Sequence, residues 1–259
     1  MSREARREVG IIAWRSVRRT LRQPALIVPS ILFPLILLAV SSAGLNPATK
    51  LPGFPADSYL DFALTVCFMQ GALFAAVTAG TELATDIESG FLDRLQLTPL
   101  RPFAVLFGQM GGAAVLSLLA TLTYILVGVL AGVDMKAGAG GVVVLVVLAE
   151  VVSLGMAGVG SLMAARTGQP EAVQGLFPLL FVTLFLSSAN LPRNLISVDW
   201  FRQIATYNPV SYLVEGMRSL VITGWDSTAL LKGFGFGLAI AIVAFAAAAR
   251  GLQTRMERT

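Results

Sequence analysis

The sequence predicts an all-α, polytopic membrane protein, and three observations predict it. Hydrophobic residues make up 56% of the 259 residues, only 13% are charged, and the mean hydropathy is +0.77. Several apolar runs reach or exceed the roughly 18 residues that cross about 30 Å of hydrocarbon as a helix. The charges are gathered into short segments between those runs, most densely in residues 82–101, ELATDIESGFLDRLQLTPLR.

Residues 1–23 carry seven arginines against two glutamates. Val9, Ile12, Ala13, Val17 and Leu21 recur at helical spacing, with most arginines on other faces, the pattern of a helix lying in a membrane interface. A secretory or twin-arginine signal is the rival reading of Arg18-Arg19-Thr20-Leu21; the length of the apolar run behind it and the later spans argue against it.

Six spans are expected, at 25–43, 59–80, 102–132, 142–165, 172–189 and 229–249. The first contains Pro29 and Pro34, each of which removes a backbone donor, so neighbouring groups must satisfy the carbonyls they free. Gly108 with Gly112, and Gly155 with Gly158 and Gly160, offer close helix packing. Residues 190–227 form an external segment. Asn208-Pro209 starts a helix there, as N-cap and N1, and Gly224 marks its end. Val210, Leu213, Met217, Leu220 and Val221 line one face of it. Ser211, Glu215, Arg218 and Ser219 are expected away from that face, with Glu215 and Arg218 paired at i,i+3.

Six spans put both termini on one side. With the N-terminus inside, 13 of the 19 basic residues are cytoplasmic, so the positive-inside rule places 82–101 in the cytoplasm. In that loop Leu83, Ile87, Phe91 and Leu95 give a helix an apolar edge, with Asp86, Glu88, Asp93 and Arg94 around it. A solvated extension of the second span and a docking knob for another protein are the two readings of this mixture.

The chain has no histidine and one cysteine, Cys67. That excludes His-based metal sites, Ser/His/Asp triads, Cys/His dyads and an intrachain disulfide. The lysines Lys50, Lys136 and Lys232 are followed by Leu51, Ala137 and Gly233, so none closes a phosphate-binding P-loop. The basic balance is explained by topology and calls for no nucleic acid. Glu150 is the acidic residue deep in a span, about 12 Å along its helix. It needs a polar partner such as Gln70, Gln109, Thr121 or Thr123, or else serves a proton relay in a secondary transporter.

Glu88-Ser89-Gly90-Phe91-Leu92-Asp93-Arg94-Leu95, then Leu97-Thr98-Pro99-Leu100 and Gly108-Gln109, resembles the loop after the second span of ABC-2 type transporter permeases. Asn208-Pro209 with Tyr212, Glu215 and Arg218 resembles that family's motif before its last span. Ser89 and Gln109 stand where the family pattern often has basic residues. The resemblance implies a permease subunit, of drug-exporter-like type, in a bacterial-type inner membrane. It implies a dimer with an identical or related permease, joined to two copies of an ATPase subunit that bind ATP and Mg, with no cofactor or metal in this chain. Residues 1–23 would be an elbow helix and 82–97 would hold a coupling helix docked on the ATPase. Asn208, Pro209, Tyr212, Glu215 and Arg218 would belong to a helix that helps close the exit.

Overall fold

The computed structural model describes residues 3–91 and 102–256. Its elements, in chain order, are α1 (Arg3–Leu21), α2 (Pro24–Leu45), α3 (Tyr59–Glu88), α4 (Pro102–Leu130), α5 (Gly138–Thr167), α6 (Pro170–Gln174), α7 (Leu176–Phe185), α8 (Asp199–Tyr207), α9 (Pro209–Arg218) and α10 (Ser227–Met256). Among the described residues there is no strand, and five helices are long and apolar enough to cross a membrane: α2, α3, α4, α5 and α10.

The expected fifth span, 172–189, is not one helix but α6 followed by α7. Pro178 has no N–H to give the carbonyl of Gln174, so the ladder breaks around Gly175. What remains, Pro170–Phe185, is an apolar segment shorter than a full span.

The bundle is built around α3, whose most apolar stretch is 89% buried. Phe62, Leu64, Phe68, Met69 and Leu73 are all at most 1% exposed. Side chains of α2, α4, α5, α7 and α9 complete this core. α3 can approach α5 very closely because both are cut down to glycine at the crossing. A Cβ on Gly80 would lie 2.6 Å from the carbonyl oxygen of Gly160, and one on Gly160 would overlap the carbonyl oxygen of Ala76.

α2 shows how an apolar span tolerates proline. Pro34 leaves the carbonyl of Ser30 without its helical donor, and the Tyr124 hydroxyl of α4 donates to that oxygen. The carbonyl of Pro34 in turn accepts from the Cys67 thiol at 3.5 Å.

Chain ends and turns are satisfied locally. Ser58 caps α3, Asn208 caps α9 ahead of Pro209, and the Asp226 carboxylate accepts from the amides of Thr228 and Ala229 at the start of α10. α5 ends on left-handed Gly168 (φ 68°). Beyond α9 the chain widens into a single π turn, Ser219–Thr223, which stops at Gly224 as expected.

Candidate functional site

Three polar constellations interrupt this apolar bundle. The first lies where the foot of α3 meets α1 and the beginning of α4. Glycines make room for it: Cβ atoms added at Gly108, Gly111 and Gly112 would run into Ile12, Ala13 and Ser16 of α1. On α1 the inward residues are Ile12, Ser16 and Thr20, one helical turn apart and each at most 8% exposed. The apolar-stripe expectation is therefore corrected for α1. Polar Ser16 and Thr20 are buried because they donate to the Glu82 carboxylate at 3.0 and 3.2 Å, while Leu21 is 49% exposed.

One turn further along α3, Asp86 gathers the positive side of α1. Its carboxylate accepts from both terminal nitrogens of Arg15 at 3.1 and 3.0 Å, from Arg19 at 3.2 Å, and from the Gln109 side-chain amide at 3.0 Å. Such a forked, charge-assisted set fixes direction as well as distance. Gln109, expected among the intramembrane polar groups, is bonded into this junction.

The loop residues divide accordingly. Leu83 is fully buried against Ile12, Leu106, Ala164 and Leu252, and Asp86 is 4% exposed. Neither side chain can face a partner as expected, because each already has its contacts inside the chain. Ile87 is half-buried on the same cluster, and Glu88 is exposed. Left-handed Gly90 (φ 65°) turns the chain, after which the Phe91 ring packs under the Arg15 guanidinium at 4.0 Å. Asp93, Arg94 and Leu95 lie outside the described residues.

The second constellation is small. Ser117 of α4 donates to the Glu150 carboxylate at 2.8 Å, and the other carboxylate oxygen has no partner among the described residues. The partner is thus none of Gln70, Gln109, Thr121 or Thr123. Gln70 sits apart, 4% exposed, beside a cavity of about 270 Å³ lined by Pro34, Leu38 and Cys67. Glu150, Gln70 and Gln109 do not converge. A single carboxylate with a serine lacks the several facing polar groups of a coupled ion site.

The third constellation organises the segment between α7 and α10. Glu215 does not pair with Arg218. It is clasped by Arg193 through two bonds of 2.7 and 2.8 Å and receives the Ser188 hydroxyl at 2.7 Å. Arg218, 7% exposed, donates to the carbonyls of Ser188 (2.9 Å), Ala189 (2.8 Å) and Phe62 (3.3 Å), and its guanidinium lies 3.5 Å over the Phe62 ring. The Asn208 side-chain amide donates to the carbonyls of Thr183 and Leu186, closing off α7 while its oxygen opens α9. Tyr212 stacks on Phe236, and the Arg193 guanidinium lies 4.3 Å over the same tyrosine ring.

As a result α9 is buried on both sides. The expected apolar residues Val210, Leu213, Met217, Leu220 and Val221 are inside, but so are Ser211 and Ser219. Ser211 donates to the carbonyl of Ala205 and receives the Ser188 amide. Sequence reasoning missed Arg193 and Ser188, which lie in an irregular stretch with no periodicity to point at Glu215.

A multi-pass helical membrane protein with a charged junction at one end of its central helix and a cross-bonded segment of short helices at the other is the class this geometry defines. Comparison with known proteins names the family: residues 7–222 match the ABC-2 type transporter family, and the chain belongs to it. The "Daunorubicin resistance ABC transporter permease protein DrrB1" of Streptomyces coeruleorubidus is 27% identical over 214 residues, covering 80% of this chain and 72% of that protein. The "Probable doxorubicin resistance ABC transporter permease protein DrrC" of Mycobacterium tuberculosis is 26% identical over 157 residues, covering 59% of this chain and 56% of that protein. The chain is a membrane permease of the ABC transporter class, and that class works with an ATP-binding partner subunit.

Proposed function

We propose that this chain is the membrane half of an ATP-driven exporter that moves a hydrophobic or amphipathic substrate outward. Relatives named as a daunorubicin resistance permease and a probable doxorubicin resistance permease support a drug-like cargo, and lipids or lipid-linked glycans share the same amphipathic chemistry. A separate ATPase, in two copies, supplies hydrolysis with its own ATP and Mg. Two permease chains pair across the bilayer of a bacterial-type inner membrane, with both termini cytoplasmic. In this reading α6 and α7 together form the fifth of six crossings, α1 is the elbow helix, and residues 82–97 include the coupling helix.

The observation that carries the reading is the junction at Asp86. It ties the foot of α3 to α1 and α4 through four hydrogen bonds, while Glu88, two residues further on, is exposed. A push received at Glu88 and the loop behind it would therefore reach three helices together. Leu83 and Asp86 act behind the docking surface, and Glu88, Phe91 and the following loop act on it. The α9 segment, held by Arg218 and Glu215, supports a gate at the outer end.

Copurification from native membranes tests this. The chain should bring down a P-loop ATPase, and Glu88→Lys should reduce the recovered ATPase by about tenfold or more, as loss of a docked charge does. Absence of any ATPase, or full recovery with the variant, would sink the proposal.

A further inference from the structure

At the level of Leu83 and Leu252, where Ala165 of α5 packs against Gly251 of α10, a cleft of about 670 Å³ runs beside the contact of the two helices. Further up, the two helices touch closely through Gly155 and Gly158 of α5 against Ala241 and Ala244 of α10. Three arginines line the cleft, Arg166, Arg250 and Arg255, with Ala247 and Thr254, and among the described residues its walls hold no acidic side chain. Arg255 crosses to the C-terminus of α5, where its guanidinium carbon would lie 2.8 Å from a Cβ placed on Gly168. A cation there faces the negative end of the helix dipole, so Arg255 forms a wall. Arg166 and Arg250 are exposed, and among the described residues neither is in an ion pair.

The length of α10 argues that the cleft opens at the boundary of the hydrocarbon. α10 has 30 residues, about 45 Å at 1.5 Å per residue, so its last turns pass beyond a core of about 30 Å. Val243, Ala247, Arg250 and Thr254 recur at helical spacing and share one stripe of α10. Val243 is 68% exposed and its neighbour Ile242 67%, as suits residues facing acyl chains. The stripe thus runs from apolar to cationic to hydroxyl in the order in which a phospholipid presents acyl chain, phosphate and polar head.

We propose that this cleft binds the phosphate-bearing headgroup of an anionic phospholipid. Arg166 and Arg250 hold the phosphate by charge-assisted hydrogen bonds, Thr254 meets the headgroup, and the acyl chains lie along Val243 and Ile242. The proposal goes beyond transport: it needs only the fold and the bilayer, whatever the cargo or the ATPase.

The test uses the full chain in an uncharged detergent, with native mass spectrometry counting retained lipid as phosphatidylglycerol or phosphatidylcholine of equal chain length is added. Phosphatidylglycerol is expected to bind about tenfold more tightly than phosphatidylcholine. Arg166→Gln and Arg250→Gln should each weaken it about fivefold, and both together about 30-fold. Arg166→Lys with Arg250→Lys should keep most of the binding, because the charge remains. Inorganic phosphate should leave the lipid in place; displacement by it would assign the cleft to a free anion and overturn the lipid. Equal retention of the two lipids would also overturn it, as would a double Gln variant that holds phosphatidylglycerol like the parent. A double Lys variant as weak as the double Gln one would trace the loss to packing rather than charge, and would overturn the headgroup contact in the same way.

Discussion

Asp86→Asn tests the junction at the foot of α3 with almost no change of shape. The substitution turns one carboxylate oxygen into an NH2 group, which then meets a donor from Arg15, Arg19 or Gln109 where it had an acceptor's place. Hydrogen bonds to a charged group contribute about 1.5–3 kcal/mol each when buried. The Arg15 and Arg19 side chains, however, are 43% and 29% exposed, against 6% for Asp86. Water screens their attraction and can rehydrate them, which brings the ion-pair part towards about 0–1 kcal/mol. The larger loss is the mismatch at the buried end, beside Gln109, so the expected total is about 2 kcal/mol. Cys67 supplies the assay: it is the single cysteine and 1% exposed, so a thiol-reactive dye reports unfolding in detergent. The apparent melting temperature should fall by about 4–8 °C. Arg15→Gln in the Asp86→Asn background should cost about 1 kcal/mol less than in the parent. An unchanged melting temperature, or strict additivity of the two changes, would refute the view that this pair is coupled.

Three further substitutions address other parts of the bundle. Gly160→Ala puts a methyl into the carbonyl of Ala76, a backbone atom that cannot rotate aside, and should destabilise by about 1–3 kcal/mol or prevent folding. Gly235→Ala on exposed α10, with nothing within 4 Å of its Cβ, should instead be neutral or gain up to about 1 kcal/mol by helix propensity, measured in the same dye assay. Arg218→Met strands the carbonyls of Ser188 and Ala189 at about 1–3 kcal/mol each. It should open the 186–195 stretch to protease before the rest of the chain; an unaltered cleavage pattern would show that Arg218 does not hold that stretch.

Much of the bundle was legible because a span is a local property. α2, α3, α4, α5 and α10 are each specified by a run of apolar residues that needs no partner to be recognised, and Asn208-Pro209 and Gly224 announce their own positions. The exception is α6 and α7, where hydropathy runs on while Pro178 interrupts the hydrogen bonds. Polar placement was harder, since it depends on groups far apart in sequence. Asp86 looks like a surface charge until Arg15 and Arg19 arrive from the other end of the chain. A signal was nonetheless present: Arg15 and Arg19, Ser16 and Thr20, and Glu82 and Asp86 are all four apart, three matching stripes on two helices. Glu150 finds Ser117 and Glu215 finds Arg193 with no comparable periodicity, so those pairings could come only from the folded chain.

The glycine crossings divide the bundle by stiffness. At Gly80 and Gly160, α3 and α5 meet backbone to backbone, and at Gly155 and Gly158, α5 meets α10 almost as closely. Main chain cannot switch rotamers, so such contacts have no slack to absorb a sliding motion. α2 is attached differently, by the Tyr124 hydroxyl, the Cys67 thiol and the Phe33 ring against Phe74 and Phe181. Side chains of that kind can swing and re-form their contacts. α3, α5 and α10 are therefore joined backbone to backbone, whereas α2 is held by side chains, so a displacement of one of those three helices would be taken up most readily at the edge where α2 is fastened.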